Sequence, residues 1–208
     1  MDRTTLIDRL CQLEWRMFSQ VRNNGGPASC QQDEGFFKKM RACQFMAWSD
    51  AMLEHYCDDL VAAGACGRNL PMEKYAWMME STHPDEFAAI RDSLPPLSQE
   101  QRDCIAAIVP LMLDWEDAVD RAYPHMRAGG RPLRKEQDTP WATSFETYLD
   151  GELKTFSSAT LRSYLEHAQQ VRRNGGNMAL EVAEHTARAY GFASLAAMEE
   201  HQAARKKS

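Results

Sequence analysis

The sequence predicts an all-α protein built as a single helical-bundle-like domain. Apolar residues recur at helical spacing along most of the chain, and N-capping residues and glycines stand at the ends of these segments. No segment alternates apolar and polar residues as a half-buried strand does. With 208 residues, of which 44% are hydrophobic and 26% charged, the chain is long enough to bury one substantial core over residues 1–208.

The first half of the chain predicts four helical segments. An apolar stripe predicts a helix over residues 4–22, and the glycines of the NNGGP run that follows end it. A long helical stretch over 33–63 leaves room for one interruption, and shorter helices are expected at 72–79 and 84–92. The stripe of the first helix consists of Leu6, Leu10, Leu13, Met17 and Val21.

The second half begins with a capping box. Ser98 and Gln101 stand three residues apart before an apolar run that extends to Tyr123, and Pro110 inside this run predicts a kink or a restart of the helix. A long irregular segment over 124–144 follows. Further helices are expected at 145–156, 159–173, 178–190 and 194–204.

The composition argues against several functional classes. A net charge of −6 and a pI near 5.5 disfavour a general nucleic-acid binder, which normally carries a basic surface. No run approaches the roughly 18–20 apolar residues of a membrane span, and the charged N-terminal segment differs from a secretory signal, so we expect a cytoplasmic protein without membrane contact. The six cysteines form no CxxC motif, and most should be buried thiols.

Short strings recur in the same order in both halves of the chain, which predicts an internal duplication with repeats at 4–92 and 98–204. Short strings also recur by accident in helical proteins, and the offsets of 100 to 112 positions require loops of different length. A genuine duplication would place two pseudo-symmetric halves about an axis with a pocket between them. The matched strings are Leu13-Glu14-Trp15 with Leu113-Asp114-Trp115, Gly25-Gly26 with Gly129-Gly130, Gln32-Asp33 with Gln137-Asp138, Leu53-Glu54-His55 with Leu165-Glu166-His167, and Asn69 with Asn177.

Carboxylates and histidines in the matched strings raise the question of a metal centre. In Glu54-His55 and Glu166-His167 the two side chains are adjacent in sequence. They therefore project about 100° apart on a helix and do not readily share a metal, unlike the Glu-x-x-His pattern of di-iron bundles. We expect no metal site, and the sequence leaves any cofactor open.

Cys30 lies in a polar segment just before a predicted helix, where the helix N-terminus favours the thiolate. It is the candidate nucleophile, although its histidine base would have to come from elsewhere in the fold. The alternative is a small residue that packs under the start of the helix.

Two segments, 74–82 and 138–153, are dense in functional groups, and a basic loop precedes the second. Their carboxylates are candidates for a general acid or base where aromatic neighbours desolvate them, and the basic loop suits an anionic ligand. Helix capping, intrahelical pairing and a solvated charge run are the alternatives. The candidates are Lys74, Tyr75, Glu80, Ser144, Glu146, Tyr148 and Glu152, with Arg127, Arg131, Arg134 and Lys135 in the basic loop.

Arg41, Gln44 and Trp48 share one face of the second predicted helix because they follow i, i+3, i+7 spacing. This face presents either a polar and aromatic wall to a ligand or a partner for a buried carboxylate such as Glu14. The sequence favours neither interpretation over the other.

Four strings together resemble an uncharacterised bacterial family, the domain-of-unknown-function family number 4125. The resemblance extends over about residues 6–195 and implies no known reaction, cofactor or catalytic residue. The strings are LEWRMF (13–18), GGPASCQ (25–31), KYAWMMEST (74–82) and DTPWATSFETYLDGEL (138–153).

We expect a small-molecule enzyme or a metabolite-binding protein with a polar site between the two helical halves, its reaction unknown and its ligand a small anionic metabolite. The alternative is a non-catalytic protein–protein interaction or regulatory accessory module, and a homodimer or a protein partner stays open. The catalytic candidates are Glu14, Cys30, Glu80, Glu146 and Glu152. The ligand-binding candidates are Arg41, Gln44, Trp48, Lys74, Tyr75, Arg131, Ser144 and Tyr148.

Overall fold

The computed structural model describes residues 1–22, 31–126 and 130–205 and confirms the all-α prediction. Within these ranges the chain forms ten α-helices, two 3-10 turns and one isolated β-bridge between Thr139 and Ala142. No helix in the same ranges combines the length and the apolar composition needed to cross a membrane. The helices are α1 (Arg3–Phe18), α2 (Glu34–Met46), α3 (Asp50–Ala65), α4 (Leu70–Thr82), α5 (Pro84–Ile90), α6 (Gln99–Ala122), α7 (Phe145–Leu153), α8 (Ser158–Arg173), α9 (Met178–Ala189) and α10 (Leu195–Arg205).

Polar side chains determine where several helices begin and end. The predicted stretch over 33–63 is two helices, because the Ser49 hydroxyl accepts a hydrogen bond from the Met52 amide and starts α3. The α1 helix ends at Phe18 rather than residue 22, and the Gln31 amide donates to the exposed carbonyls of Phe18 and Val21 at 3.0 and 2.8 Å.

The long α6 helix shows one correct prediction and one correction. The Ser98–Gln101 capping box is present at its start. Pro110 lies inside this helix, which continues on both sides, so the predicted restart is wrong. A proline removes one backbone hydrogen bond, and the packing of α6 against α7, α8 and α9 stabilises the helix across that gap.

The helices pack in two corresponding sets. The α1 helix contacts α2, α3 and α4, and α6 contacts α7, α8 and α9. Between the sets, α2 packs on α9, α4 packs on α7, and α3 packs on α8. When α1, α2, α3 and α4 are exchanged in this order with α6, α7, α8 and α9, the list of contacts stays the same. A twofold axis through the α3–α8 contact would produce this pattern.

The ends of these helices correspond at a spacing of 108 positions. Ser49 caps α3 and Ser157 caps α8, and both helices have 16 residues. Gly67 and Gly175 follow with φ of 71° and 73°, the left-handed conformation that favours glycine after a helix end. At this spacing Leu53 corresponds to Leu161 rather than to Leu165, so the string match at 112 positions is out of register.

The matched asparagines behave alike in the structure. Asn69 caps α4 and donates from Nδ2 to the Met17 carbonyl at 2.7 Å. Asn177 caps α9 and donates from Nδ2 to the Trp115 carbonyl at 3.2 Å. Each asparagine therefore ties one helix start to the first helix of its own set. A shared packing pattern is not ancestry, and the duplication stays a prediction.

Both sets contribute to one hydrophobic core. Its aromatic centre joins Trp48 to Tyr56 and Tyr164, with ring centroids 5.5 and 5.7 Å apart, and Phe156 packs on both Trp48 and Tyr56. Edge-to-face contacts of this kind add to the free energy of burial. The polar side chains of the candidate site lie directly beside this centre.

Candidate functional site

A cavity of about 210 Å³ lies where the two sets of helices meet. We call it the first cavity. Its floor is polar and its outer wall is aromatic and apolar, as in many small-molecule sites. It is lined by Glu14, Phe18, Phe36, Phe37, Met40, Arg41, Tyr56, Leu70, Pro71, Lys74, Tyr75, Arg131, Tyr148, Glu152 and Thr155.

Glu14 of α1 is held at the floor by three hydrogen bonds. Arg41 of α2 donates from Nε to Oε2 and from Nη2 to Oε1, both at 2.6 Å, and the Tyr56 hydroxyl donates to Oε1 at 2.5 Å. Charge-assisted bidentate bonds of this kind are strong and directional. Burial and the Glu14 carboxylate raise the pKa of Tyr56, so its phenol stays a neutral donor. Arg41 therefore anchors the buried carboxylate Glu14 and also lines the cavity, and its contact with a ligand stays a prediction.

Glu152 of α7 connects this anchor to a second cation. Its Oε1 lies 3.1 Å from Arg41 Nη2 and 3.7 Å from Lys74 Nζ. Burial by itself would raise the pKa of Glu152, but the positive charges of Arg41 and Lys74 outweigh it and hold the pKa below its usual value. Glu152 is therefore ionised although its side chain is almost fully enclosed.

Lys74 of α4 is the least engaged charge in the cluster. Its Nζ lies 3.8 Å from the centroid of the Tyr148 ring and 5.6 Å from that of Tyr75, in cation–π geometry. Burial alone would lower its pKa, but Tyr148 and Glu152 raise it overall, so the ammonium stays charged. It donates no hydrogen bond to a residue in the described ranges, where every fully enclosed side-chain nitrogen or oxygen has a partner. Nζ therefore borders the cavity with donor capacity to spare.

Gly151 brings α4 and α7 close enough for these contacts. A Cβ on this residue would lie 2.9 Å from Met78 Cγ and 3.0 Å from the Lys74 carbonyl oxygen. Only glycine fits between these helices without a shift of the backbone. Sequence reasoning missed this residue because a glycine inside an apolar-periodic helix has no pattern that distinguishes close packing from simple tolerance.

A second cavity of about 210 Å³ lies on the other side of Tyr148 and Glu152. It shares Arg131, Tyr148 and Glu152 with the first cavity, so these three residues form the wall between the two. Gln44 and Trp48, predicted as ligand-binding residues, line this second cavity. Its full lining is Gln44, Trp48, Met112, Glu116, Arg131, Phe145, Tyr148, Leu149, Glu152, Tyr164, Met178, Ala179 and Val182.

Glu80 and Glu146 lie elsewhere, in a groove of about 540 Å³ between α4, α6 and α7. Lys154 donates to Glu80 at 2.7 Å, and Glu146 accepts a hydrogen bond from the Lys135 amide at 3.1 Å. Glu146 and Glu152 are six positions apart in the sequence, which places them about 120° apart around α7 and on different faces. Glu80 and Glu146 therefore do not share a cavity with Glu14 and Glu152, contrary to the expectation of a single polar site.

Ser144, another predicted ligand-binding residue, also lies outside the first cavity. Ser144 is completely buried and its hydroxyl caps α7 by accepting from the Thr147 amide, which leaves it no surface for a ligand. The candidate nucleophile Cys30 lies outside the described residues, as does Arg127 of the basic loop. Arg131 of that loop does reach the site, with its Cζ 4.8 Å from the centroid of the Tyr148 ring.

The comparisons with known proteins give a family and no function. No curated protein matches the chain, and no solved structure matches it. One family model, described as a protein of unknown function (DUF4125), matches residues 4–200. Because this match covers nearly the whole chain, the protein belongs to the DUF4125 family.

Proposed function

We propose that the protein binds a small anionic metabolite in the first cavity, with the anion beside Lys74. The observation that carries this proposal is the buried ammonium of Lys74, which is held over Tyr148 with only a 3.7 Å ion pair and borders an open space. A buried cation without full hydrogen bonding is costly. A ligand carboxylate or phosphate would supply the missing acceptors.

The charges of the wall favour a monoanion. Arg41, Lys74 and Arg131 carry three positive charges, and Glu14 and Glu152 carry two negative ones. One positive charge is therefore left for a ligand to neutralise. The outer wall contains the stacked rings of Phe18 and Phe37, with centroids 4.7 Å apart, which suits an apolar body attached to the anion.

The protonation states favour binding over proton transfer. The pKa of Lys74 is raised and that of Glu152 is lowered, while burial and Glu14 keep the Tyr56 phenol protonated. A general acid or base instead needs a pKa near the working pH. In this proposal Glu14 and Glu152 orient the cations, and Glu152 stays ionised beside them.

Native mass spectrometry of the protein purified gently from its own host tests the proposal. We expect a stoichiometric adduct of small mass that carries an acidic group. Lys74→Met should lose it, whereas Lys39→Met, which removes an exposed lysine, should retain it. Protein that is free of small molecules, or an adduct unchanged in Lys74→Met, would contradict the proposal.

A second candidate function is that of a protein interaction module, and Trp141 favours it. Its side chain is 95% exposed, whereas aromatic residues at partner surfaces commonly supply much of the binding free energy. The Thr139 hydroxyl accepts from the Trp141 and Ala142 amides at 3.3 and 3.0 Å, which shapes the turn before binding. A stoichiometric protein mass that disappears in Trp141→Ala, with no small adduct, would favour this module.

A further inference from the structure

At two corresponding positions the second cavity has apolar residues where the first cavity has charged ones. The α4 and α9 helices begin at Asn69 and Asn177, so Lys74 and Val182 occupy corresponding positions five residues after each cap. Asn69 bonds to the Met17 carbonyl and Asn177 to the Trp115 carbonyl. Three residues before each carbonyl stand Glu14 and Met112, so Met112 is the counterpart of Glu14, and the string match of Glu14 with Asp114 is out of register by two positions. Met112 and Val182 both line the second cavity. The second cavity therefore has an apolar residue, Val182, at the position where the first cavity has the cation Lys74.

Two of the residues that line this cavity carry a neutral polar group without a partner among the described residues. Tyr164 and Trp48 are each 3% exposed, and neither the Tyr164 hydroxyl nor the Trp48 indole nitrogen bonds to any residue in the described parts of the chain. Fully enclosed polar side-chain atoms in those parts all have partners. Both atoms therefore keep a small accessible surface, and both residues line the second cavity.

The surrounding charges disfavour an anion in this space. Glu116 and Glu152 contribute carboxylates to the wall, and the cations Arg41 and Lys74 already engage Glu152 from the other side. Arg131 lies in the wall shared with the first cavity. Burial, Glu152 and Glu116 raise the pKa of Tyr164, so its hydroxyl stays a neutral donor.

We propose that the second cavity is a separate binding site for an uncharged, largely apolar molecule that carries one carbonyl-type acceptor. The Tyr164 hydroxyl and the Trp48 indole N–H donate to the acceptor. Met112, Met178 and Val182 pack against the apolar part. Such an arrangement, an apolar wall with a few convergent polar groups, is typical of small-molecule sites. The proposal does not depend on an anion in the first cavity.

Acetophenone is a suitable probe because it combines a ring with one carbonyl. We would titrate it into isotope-labelled protein and follow the five tryptophan indole N–H resonances, with that of Trp48 identified from its absence in Trp48→Phe. We expect a saturable shift of the Trp48 signal. Ethylbenzene, which lacks an acceptor, should bind more weakly, and benzoate should leave this signal unchanged.

Two variants test the site itself. Tyr164→Phe should weaken acetophenone about three- to tenfold, the effect of one hydrogen bond, and leave ethylbenzene unaffected. Tyr190→Phe, at a half-exposed tyrosine, is the matched control. Ala179→Leu should fill the cavity and abolish the titration while the protein stays folded.

Several outcomes would overturn the proposal: no saturable shift, equal affinity for acetophenone in Tyr164→Phe and the wild type, or an acetophenone titration that survives in Ala179→Leu. Lys74→Met separates this proposal from the first. It should leave the acetophenone titration unchanged, whatever happens to the anion.

Discussion

The two cavities have the same volume of about 210 Å³ and corresponding positions in two similar sets of helices, yet their chemistry differs. The first has Glu14 and Lys74 where the second has Met112 and Val182. Tyr56 occupies the first, and its counterpart Tyr164 the second. The packing of α6 against α8 and α9 therefore needs no charge at these positions.

This difference indicates that the stability of the fold alone does not explain Glu14 and Lys74. Buried ion pairs are often no more stabilising than apolar residues of similar volume. The second cavity illustrates such an apolar alternative within the same molecule. The charged cluster of the first cavity is therefore not explained by stability alone, and the proposed anionic ligand would account for the unsaturated donor, Lys74.

Glu14→Met gives the first cavity a methionine, like Met112 in the second cavity. We expect the largest change in the free energy of unfolding from this substitution. Among the described residues, Arg41 would keep Glu152 as its ion-pair partner, Gln44 as a hydrogen-bond acceptor and the ring of Phe45, all in a buried setting. Loss of one partner of a buried pair should lower the free energy of unfolding by about 3–5 kcal/mol, measured by urea denaturation. The double variant Glu14→Met/Arg41→Met should recover part of that loss. A double variant less stable than the single one would show that the fold itself needs the pair.

Lys74→Met tests whether the charge that distinguishes the first cavity from the second binds an anionic ligand. With phenylacetate as the anionic probe, loss of one charged hydrogen bond of about 1.5–3 kcal/mol should weaken binding roughly 10- to 150-fold by calorimetry. Phenylacetamide, the uncharged analogue, should bind the wild type weakly and be little affected. Lys39→Met is the control, and equal affinities of phenylacetate for both variants would refute the role of Lys74.

Gly151→Ala tests the close packing that aligns the wall between the cavities. The new methyl group would meet Met78 Cγ at 2.9 Å and the Lys74 carbonyl oxygen at 3.0 Å, so we expect a loss of about 1–3 kcal/mol in thermal or urea denaturation. Gly35→Ala, where the closest atom lies at 3.6 Å, should be neutral or stabilising. Similar stability of the two variants would contradict the packing argument.

The pH dependence of stability gives the smallest expected effect. The pKa of Glu152 is lowered in the folded protein, chiefly because Arg41 and Lys74 overcome the effect of burial. Its contribution to stability is therefore present above its unfolded pKa, about 4.3, and is lost as the pH falls through the lower folded pKa. Below about pH 4, the free energy of unfolding should fall more steeply in the wild type than in Glu152→Gln. Parallel curves would mean that Glu152 does not contribute to this dependence.

Local patterns predicted the helices well because capping and periodicity act over a few residues. The Ser98–Gln101 box was visible in the sequence, and Asn69 and Asn177 were visible as matched landmarks. The missed start of α3 depends on a local cap, Ser49, whereas α1 ends at Phe18 beside the amide of Gln31, which lies 13 residues away.

The amino-acid sequence by itself determined the all-α class, most helix starts and a set of polar side chains that included Glu14, Arg41, Lys74 and Glu152. Only the tertiary structure decided that these four converge, that Glu80 and Glu146 face another groove, and that Tyr56 and Gly151 belong to the site. The physical reason is the distance along the chain over which the interactions act. Helix formation depends on interactions between residues within one or two turns of each other. A cavity instead forms from residues on five helices, whose approach depends on packing across the whole core.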